Sequence, residues 1–269
     1  MKTKKGQAVV TETCVFTLPT PGKDKSRIIY AAEYPPTASD VSKMHDNATS
    51  KHIIKHLGHN RIDFIDVVTE SPVTTPSSNI SRKSLSSMVT PLRISDWFTR
   101  IVNRVHEVRQ VAGTIPIIYI AGELCSNVWK RKDDFSESKR TISEDFGIYR
   151  YKTKSGDHGQ GGVIVMEGHP HPSAAMVSRN DPMRVTADKA ALAVVKALTT
   201  FSGDELTEQA IISQMDSETK VRFKCMRQFM GDCKLGDAAT TGWWPKKLRH
   251  WRHSAFHVKD FQQQCADLL

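Results

Sequence analysis

ISDWFTRIVNRVHEVRQVAGTIPIIYIAG, residues 94–122, decides the fold class. Its first half places Ile94, Trp97, Phe98, Ile101, Val102, Val105 and Val108 at helical spacing. They make one apolar stripe on a helix over 94–112, which Gly113 ends. The second half, Ile115-Pro116-Ile117-Ile118-Tyr119-Ile120-Ala121-Gly122, shows no polar alternation. Such a run reads as a strand buried on both faces, with Pro116 at its start, where a missing N–H is tolerated.

Three further runs extend the pattern outward. Ile28-Ile29-Tyr30-Ala31-Ala32 is a short apolar strand closed by Glu33-Tyr34-Pro35-Pro36. Ile62-Asp63-Phe64-Ile65-Asp66-Val67-Val68 is a second, and Gly162-Val163-Ile164-Val165-Met166-Glu167-Gly168 a fourth. Helical patterns lie over 40–57, stopped by Gly58, and over the small-residue stretch 187–200. This rhythm predicts an α/β domain: a three-layer sandwich around a mainly parallel, four-stranded central sheet. Ligands of such sheets sit outside the carboxyl ends of the strands. Chemistry is therefore expected in 33–36, 66–70, 122–127 and 168–176.

The chain divides into a turn-rich lead-in (1–26), the α/β domain (27–203) and a basic, Trp-rich extension packed on the core (204–269). Two loop insertions interrupt the domain. One, 69–91, is rich in Ser, Thr and Pro and carries Arg82 and Lys83; the other, 130–161, is charged and contains Gly.

Composition sets the class. The 269 residues include 38 Lys plus Arg against 29 Asp plus Glu, a formal charge of +9. Hydrophobic residues make up 39% and charged residues 25%, ordinary for a globular protein. No apolar run approaches the ~20 residues that span a bilayer, so no membrane-spanning role is expected. The start, Met1-Lys2-Thr3-Lys4-Lys5-Gly6, has positive charge without the apolar core of a secretory signal. Cys14, Cys125, Cys225, Cys233 and Cys265 are scattered and odd in number, which reads as free thiols in a reducing, intracellular compartment. Cys225, Cys233, His250, His253 and His257 do not have zinc-knuckle spacing, and neither a metal nor another cofactor is expected. The positive charge makes nucleic acid a reasonable partner.

The fourth strand runs into Glu167-Gly168-His169-Pro170-His171-Pro172-Ser173-Ala174-Ala175-Met176. Two His-Pro pairs stiffen the loop, because proline fixes φ and removes a donor. A held imidazole at a strand end either caps backbone groups or donates to developing negative charge. His171-Pro172-Ser173-Ala174 resembles the His-Pro-Ser motif of the uracil-DNA glycosylase superfamily. Around it, helix 94–112, strand 115–121 and the small-residue turn Gly122-Glu123-Leu124-Cys125-Ser126-Asn127 are similar to that family in order. Phe64-Ile65-Asp66-Val67-Val68-Thr69 looks like its base-reading strand, and 28–35 like its first strand and water-activating loop. The likeness spans about 28–200 in four short matches. The chain departs from the family at several positions: Ala32-Glu33-Tyr34-Pro35 stands where an Asp or Asn usually precedes Pro, Asp66 replaces the base-reading Asn, and Ala174-Ala175 follows His-Pro-Ser where the family often has a bulky Leu, leaving Met176 as the nearest wedge.

The resemblance implies a DNA N-glycosylase of the repair type, which flips a base out of single- or double-stranded DNA and hydrolyses its glycosidic bond. His171 would donate to the base oxygen and Glu33 would orient water or stabilise the sugar cation. Asp66 would read the base edge, with Tyr34 and Asn127 as further substrate-binding candidates. Ser173 and Arg179 would hold phosphates, and Met176 would wedge into the duplex. An ionised Asp66 can only accept hydrogen bonds, which suits an amino-bearing base and repels uracil O4 unless the carboxyl is protonated.

In the extension, 204–230 reads as an amphipathic helix. Trp243, Trp244 and Trp251 interleave with Lys246, Lys247, Arg249 and Arg252. This segment is either a stacking nucleic-acid surface or a Trp-anchored tail on the core. Two rivals to the glycosylase reading follow. One is a non-catalytic DNA-binding or complex-forming protein with the extension as its partner surface; a nuclear or other DNA-containing compartment would suit either. The other, an α/β hydrolase, lacks the G-x-S-x-G elbow.

Overall fold

A computed structural model describes residues 15–17, 26–33, 48–57, 61–69, 87–110, 115–131, 136–143, 147–153, 162–169, 182–201, 206–214 and 217. In chain order the elements are β1 (Val15–Thr17), β2 (Ser26–Ala32), α1 (Ala48–Leu57), β3 (Arg61–Asp66), α2 (Pro91–Arg109) and β4 (Ile117–Ala121). There follow α3 (Glu123–Trp129), β5 (Ser136–Ser143), β6 (Ile148–Thr153), β7 (Val163–His169), α4 (Pro182–Leu198) and α5 (Glu208–Ser213). The strands form one sheet in the order β1-β3-β2-β4-β7-β6-β5. β3, β2, β4 and β7 are parallel neighbours, and β1, β6 and β5 join antiparallel.

Alternation along the parallel strands sends side chains to two cores. Ile28, Tyr30, Ile117, Tyr119, Ile164 and Met166 meet Ile53 and Leu57 of α1, Leu192 and Val195 of α4, and Ile211 of α5. Ile29, Ala31, Ile65, Ile118, Ile120 and Val165 meet Trp97, Ile101 and Val105 of α2 and Val128 and Trp129 of α3. With helices on both faces, β4 is buried at every position, which is why it lacks polar alternation. Thr90 caps α2 by accepting from the Arg93 amide at 3.3 Å, and Pro91 fits the first turn, where its missing N–H costs nothing.

α2 is tied to β3 by three polar contacts along one stripe. Trp97 Nε1 donates to the Ile65 carbonyl at 3.0 Å and Arg100 Nη2 to the Asp66 carbonyl at 2.9 Å. Arg104 Nε pairs with the fully buried Asp63 carboxylate at 2.5 Å. Burial alone would lower the Arg104 pKa, but hydrogen bonds and charge from Asp63 and Glu107 raise it on balance.

The α/β class holds, and several finer expectations change. The sheet has seven strands rather than four, and it is mixed rather than mainly parallel, with three parallel and three antiparallel pairings. Two of the additional strands, β5 and β6, form an antiparallel hairpin inside 130–161, the stretch read as a loop insertion. β5 lies at the sheet edge with residues 138–141 exposed, so its backbone pairing leaves little hydrophobic signature. The third, β1, lies in the lead-in and is too short for a pattern. The turn at 122–127 is confined to Gly122, and residues 123–127 already lie in α3; α2 begins at the last residue of the expected 69–91 insertion. Of the expected 204–230 helix, α5 covers Glu208–Ser213, and Leu206 and Ile211 join the core; residues 215–216 and 218–230 lie outside the described residues.

The hairpin closes onto β7 at Gly147. Its φ is +59°, its carbonyl accepts from the Glu167 amide at 2.9 Å, and a Cβ there would overlap the Glu167 carbonyl oxygen. Gly147→Ala is therefore expected to cost at least about 2 kcal/mol in urea unfolding, combining a left-handed backbone with a backbone clash. A loss under about 0.5 kcal/mol would show that this turn does not press on β7.

Candidate active site at the carboxyl edge

β2, β3 and β4 are parallel, so their carboxyl ends open on one edge of the sheet. Ala32 pairs with Asp66, and the ladder continues past both strands: Val67 N donates to the Ala32 carbonyl and Val68 N to the Glu33 carbonyl, each at 3.0 Å. Asp66 thereby lies beside Ala32, with Glu33 one residue further along the ladder, so the two acids meet at one edge although 33 residues separate them in the chain.

The third strand end turns sharply. Gly122 has φ 93°, a conformation that disfavours side chains, and it offers no side-chain cap to α3. Glu33 supplies one in part: its Oε1 accepts from the Leu124 amide at 3.4 Å, a long contact across 91 residues. The next residue, Cys125, is a fully buried free thiol. Burial first, then the charges of Glu33 and Asp66, push this thiol well above its usual range, so it stays protonated and is a poor nucleophile.

Asp66 is only 7% exposed. Burial pushes its carboxyl up to about 7; the Arg100 cation opposes the shift, and Glu33 adds to it. Arg100 does not relieve the burial by direct pairing, since its Nη2 is spent on the Asp66 backbone carbonyl and its Nε on Asp96. The edge therefore carries a carboxyl group that exists in both protonation states near neutral pH, with a second carboxylate and a neutral thiol close by.

The expected site residues fall into three groups. Glu33 and Asp66 come together. Asn127 lies on an exposed face of α3, where its Oδ1 accepts from Lys130 Nζ at 3.5 Å. Tyr34, His171, Ser173, Met176, Arg179, Trp243, Lys246, Lys247, Arg249 and Arg252 lie outside the described residues, as do Arg82, Lys83 and the cysteine–histidine group of the extension. β7 pairs parallel with β4 and ends at His169, two residues before His171. Cys125 and Arg100 were not expected at the site. Cys125 did sit in a flagged strand-end segment, but as one of five scattered cysteines it carried no signal; Arg100 would have needed the contact between α2 and β3. Among the described residues, no helix is long and apolar enough to cross a membrane. No protein-family model, curated protein or solved structure matches the chain.

The Asp66 shift has a thermodynamic consequence. Its folded pKa lies above the unfolded value of 3.8, so between these values the native state binds more protons than the unfolded state. Stability must then fall as pH rises from about 4 to about 7, by roughly 4 kcal/mol from this group, and the loss persists at higher pH. Asp66→Asn is expected to flatten that slope and to raise the urea midpoint at pH above ~7, with the gain vanishing toward pH ~4. Parallel pH profiles for the two proteins would mean that Asp66 titrates normally.

Proposed function

We propose that the protein is a divergent DNA N-glycosylase of the uracil-DNA glycosylase type, acting at the carboxyl edge of the sheet. The observation that carries the reading is the meeting of Glu33 and Asp66 at one edge, with β4 between them and β7, the strand that leads into His169-Pro170-His171-Pro172-Ser173. Each role follows from the chemistry of the group. A water oxygen attacks C1′, the C1′–N bond breaks, its electron pair leaves with the base, and the proton the water loses neutralises the departing base. The Glu33 carboxylate orients that water and offsets the positive charge building on the sugar. His171 donates to the base oxygen as negative charge develops there.

Asp66 gives the reading a substrate rule. With a carboxyl near 7, the protonated form donates to uracil O4 and accepts from N3–H, whereas the ionised form accepts from an amino-bearing base. Uracil is then handled better below neutrality and an amino-bearing base above it. Tyr34 completes base binding; Ser173 and Arg179 hold phosphates, Met176 wedges the stack, and the Trp243–Arg252 segment adds stacking and charge.

A second reading, a non-catalytic nucleic-acid-binding protein on this scaffold, draws on a specific observation. Glu33 has a structural task as the cap of α3, which suffices to explain an acid at that place.

Incubation with single- and double-stranded oligonucleotides carrying uracil or other altered bases, followed by alkaline cleavage of abasic sites, separates the two. Under the first reading, Glu33→Gln and His171→Ala each slow product formation by about 10²-fold or more, with DNA affinity changed only slightly. Absence of abasic product from the unmodified protein, with salt-sensitive binding retained, would leave the second reading standing.

A further inference from the structure

α1, with the sequence ATSKHIIKHL, contains no acidic residue. Its Lys51 and Lys55 are exposed; His52 and His56, one turn apart, are half-buried with ring centroids 4.7 Å from each other. α4 packs against α1 and presents exposed Lys189 and Lys196, seven residues and therefore two turns apart on one face. Both helices send their apolar sides into the same core, so the six groups cover one outer surface of the molecule.

The groups feel one another across the helix pair. The His56 pKa is lowered first by burial and then by His52, Lys189, Lys55 and Lys196; no carboxylate is among the groups that act on it. Lys55, Lys189 and Lys196 make no ion pair among the described residues. α4 also carries Asp188, but the gathering of Lys55, Lys189 and Lys196 around His56 raises the free energy of this surface, and a row of phosphates lowers it while releasing counterions.

We propose that the α1–α4 face is a docking surface for the phosphodiester backbone of a nucleic-acid duplex, built from Lys51, Lys55, Lys189 and Lys196 with His52 and His56 between them. A lipid surface fits less well. Helices that lie on membranes bury exposed apolar side chains, and the one large exposed hydrophobic residue among the described residues, Leu92, belongs to α2 on the opposite face of the sheet. The surface carries Lys and His without a groove-reading element, so it binds without sequence preference. The proposal shares its partner class with the excision reading but none of its chemistry, and binding alone reads it out.

The test is fluorescence anisotropy of the full chain with short DNA and RNA duplexes of arbitrary sequence, between ~50 and ~200 mM salt. Replacing Lys51, Lys55, Lys189 and Lys196 together by Gln is expected to weaken binding about tenfold or more at ~100 mM salt. The slope of log K against log salt should fall by about three. Replacing the exposed Lys130, Arg131, Arg140 and Lys152 by Gln removes the same charge elsewhere and should leave affinity within about threefold. Circular dichroism checks that both variants remain folded. Loss on either duplex upholds the proposal, and the arm with the larger loss identifies the polymer. Equal losses from the two variants, or no loss from the first, overturn it. So does a first variant that stops binding anionic vesicles while still binding duplex. Failure to form abasic product in the excision assay leaves this outcome untouched.

Discussion

The contact on which the candidate site depends is the grip of α2 on the end of β3. An indole N–H and a guanidinium take up the last two carbonyls of the strand, and Arg104 neutralises Asp63 within it. Each contact satisfies a polar group that burial would otherwise leave costly. Together they hold the end of β3 against α2, and hence fix where Asp66 stands. Because Arg100 is held by the backbone and by Asp96, its charge reaches the Asp66 carboxyl only through space. The same side chain thus builds the edge and leaves the carboxyl short of a direct partner.

That arrangement runs against stability. A buried carboxyl beside a second carboxylate is not what a scaffold under selection for packing alone would keep, and perturbed acids of this kind concentrate at functional sites. Structural networks also perturb acids, and Glu33 takes part in one through the amide of Leu124. Under the proposed reaction, chemistry and architecture would share this one side chain, with α3 resting on the group that orients the water.

The legible parts of the fold were those with strong burial. The four parallel strands and α2 announce themselves in Ile28–Ala32, Ile62–Val68, Ile115–Ala121, Val163–Met166 and the Trp97–Ile101–Val105 stripe, because both sheet faces are covered and water is excluded. The edge elements were not legible. β5 is held by backbone pairing and by Lys139, which bonds Glu167 and lies 3.3 Å from the Tyr149 ring centroid; none of this produces periodic hydrophobicity. Of the site, strand-end logic found Glu33 and Asp66. It pointed to 122–127 without singling out Cys125, and it could not find Arg100, whose relevance exists only once β3 and α2 are in register. The protonation of Asp66 was equally out of reach, since it depends on depth of burial rather than residue type.

The two flanks of the sheet also differ in how they are assembled. β5 and β6 are consecutive and pair antiparallel, so a short loop closes them; β2 and β4 pair Ile28 with Ile117, across most of the first half of the chain. Entropy lost on loop closure rises with the length closed, and non-local pairing slows folding. The hairpin can thus be in place as a ready edge before the central strands find their register, and β7, wedged between hairpin and β4, is the strand through which local order is handed to the long-range part of the topology.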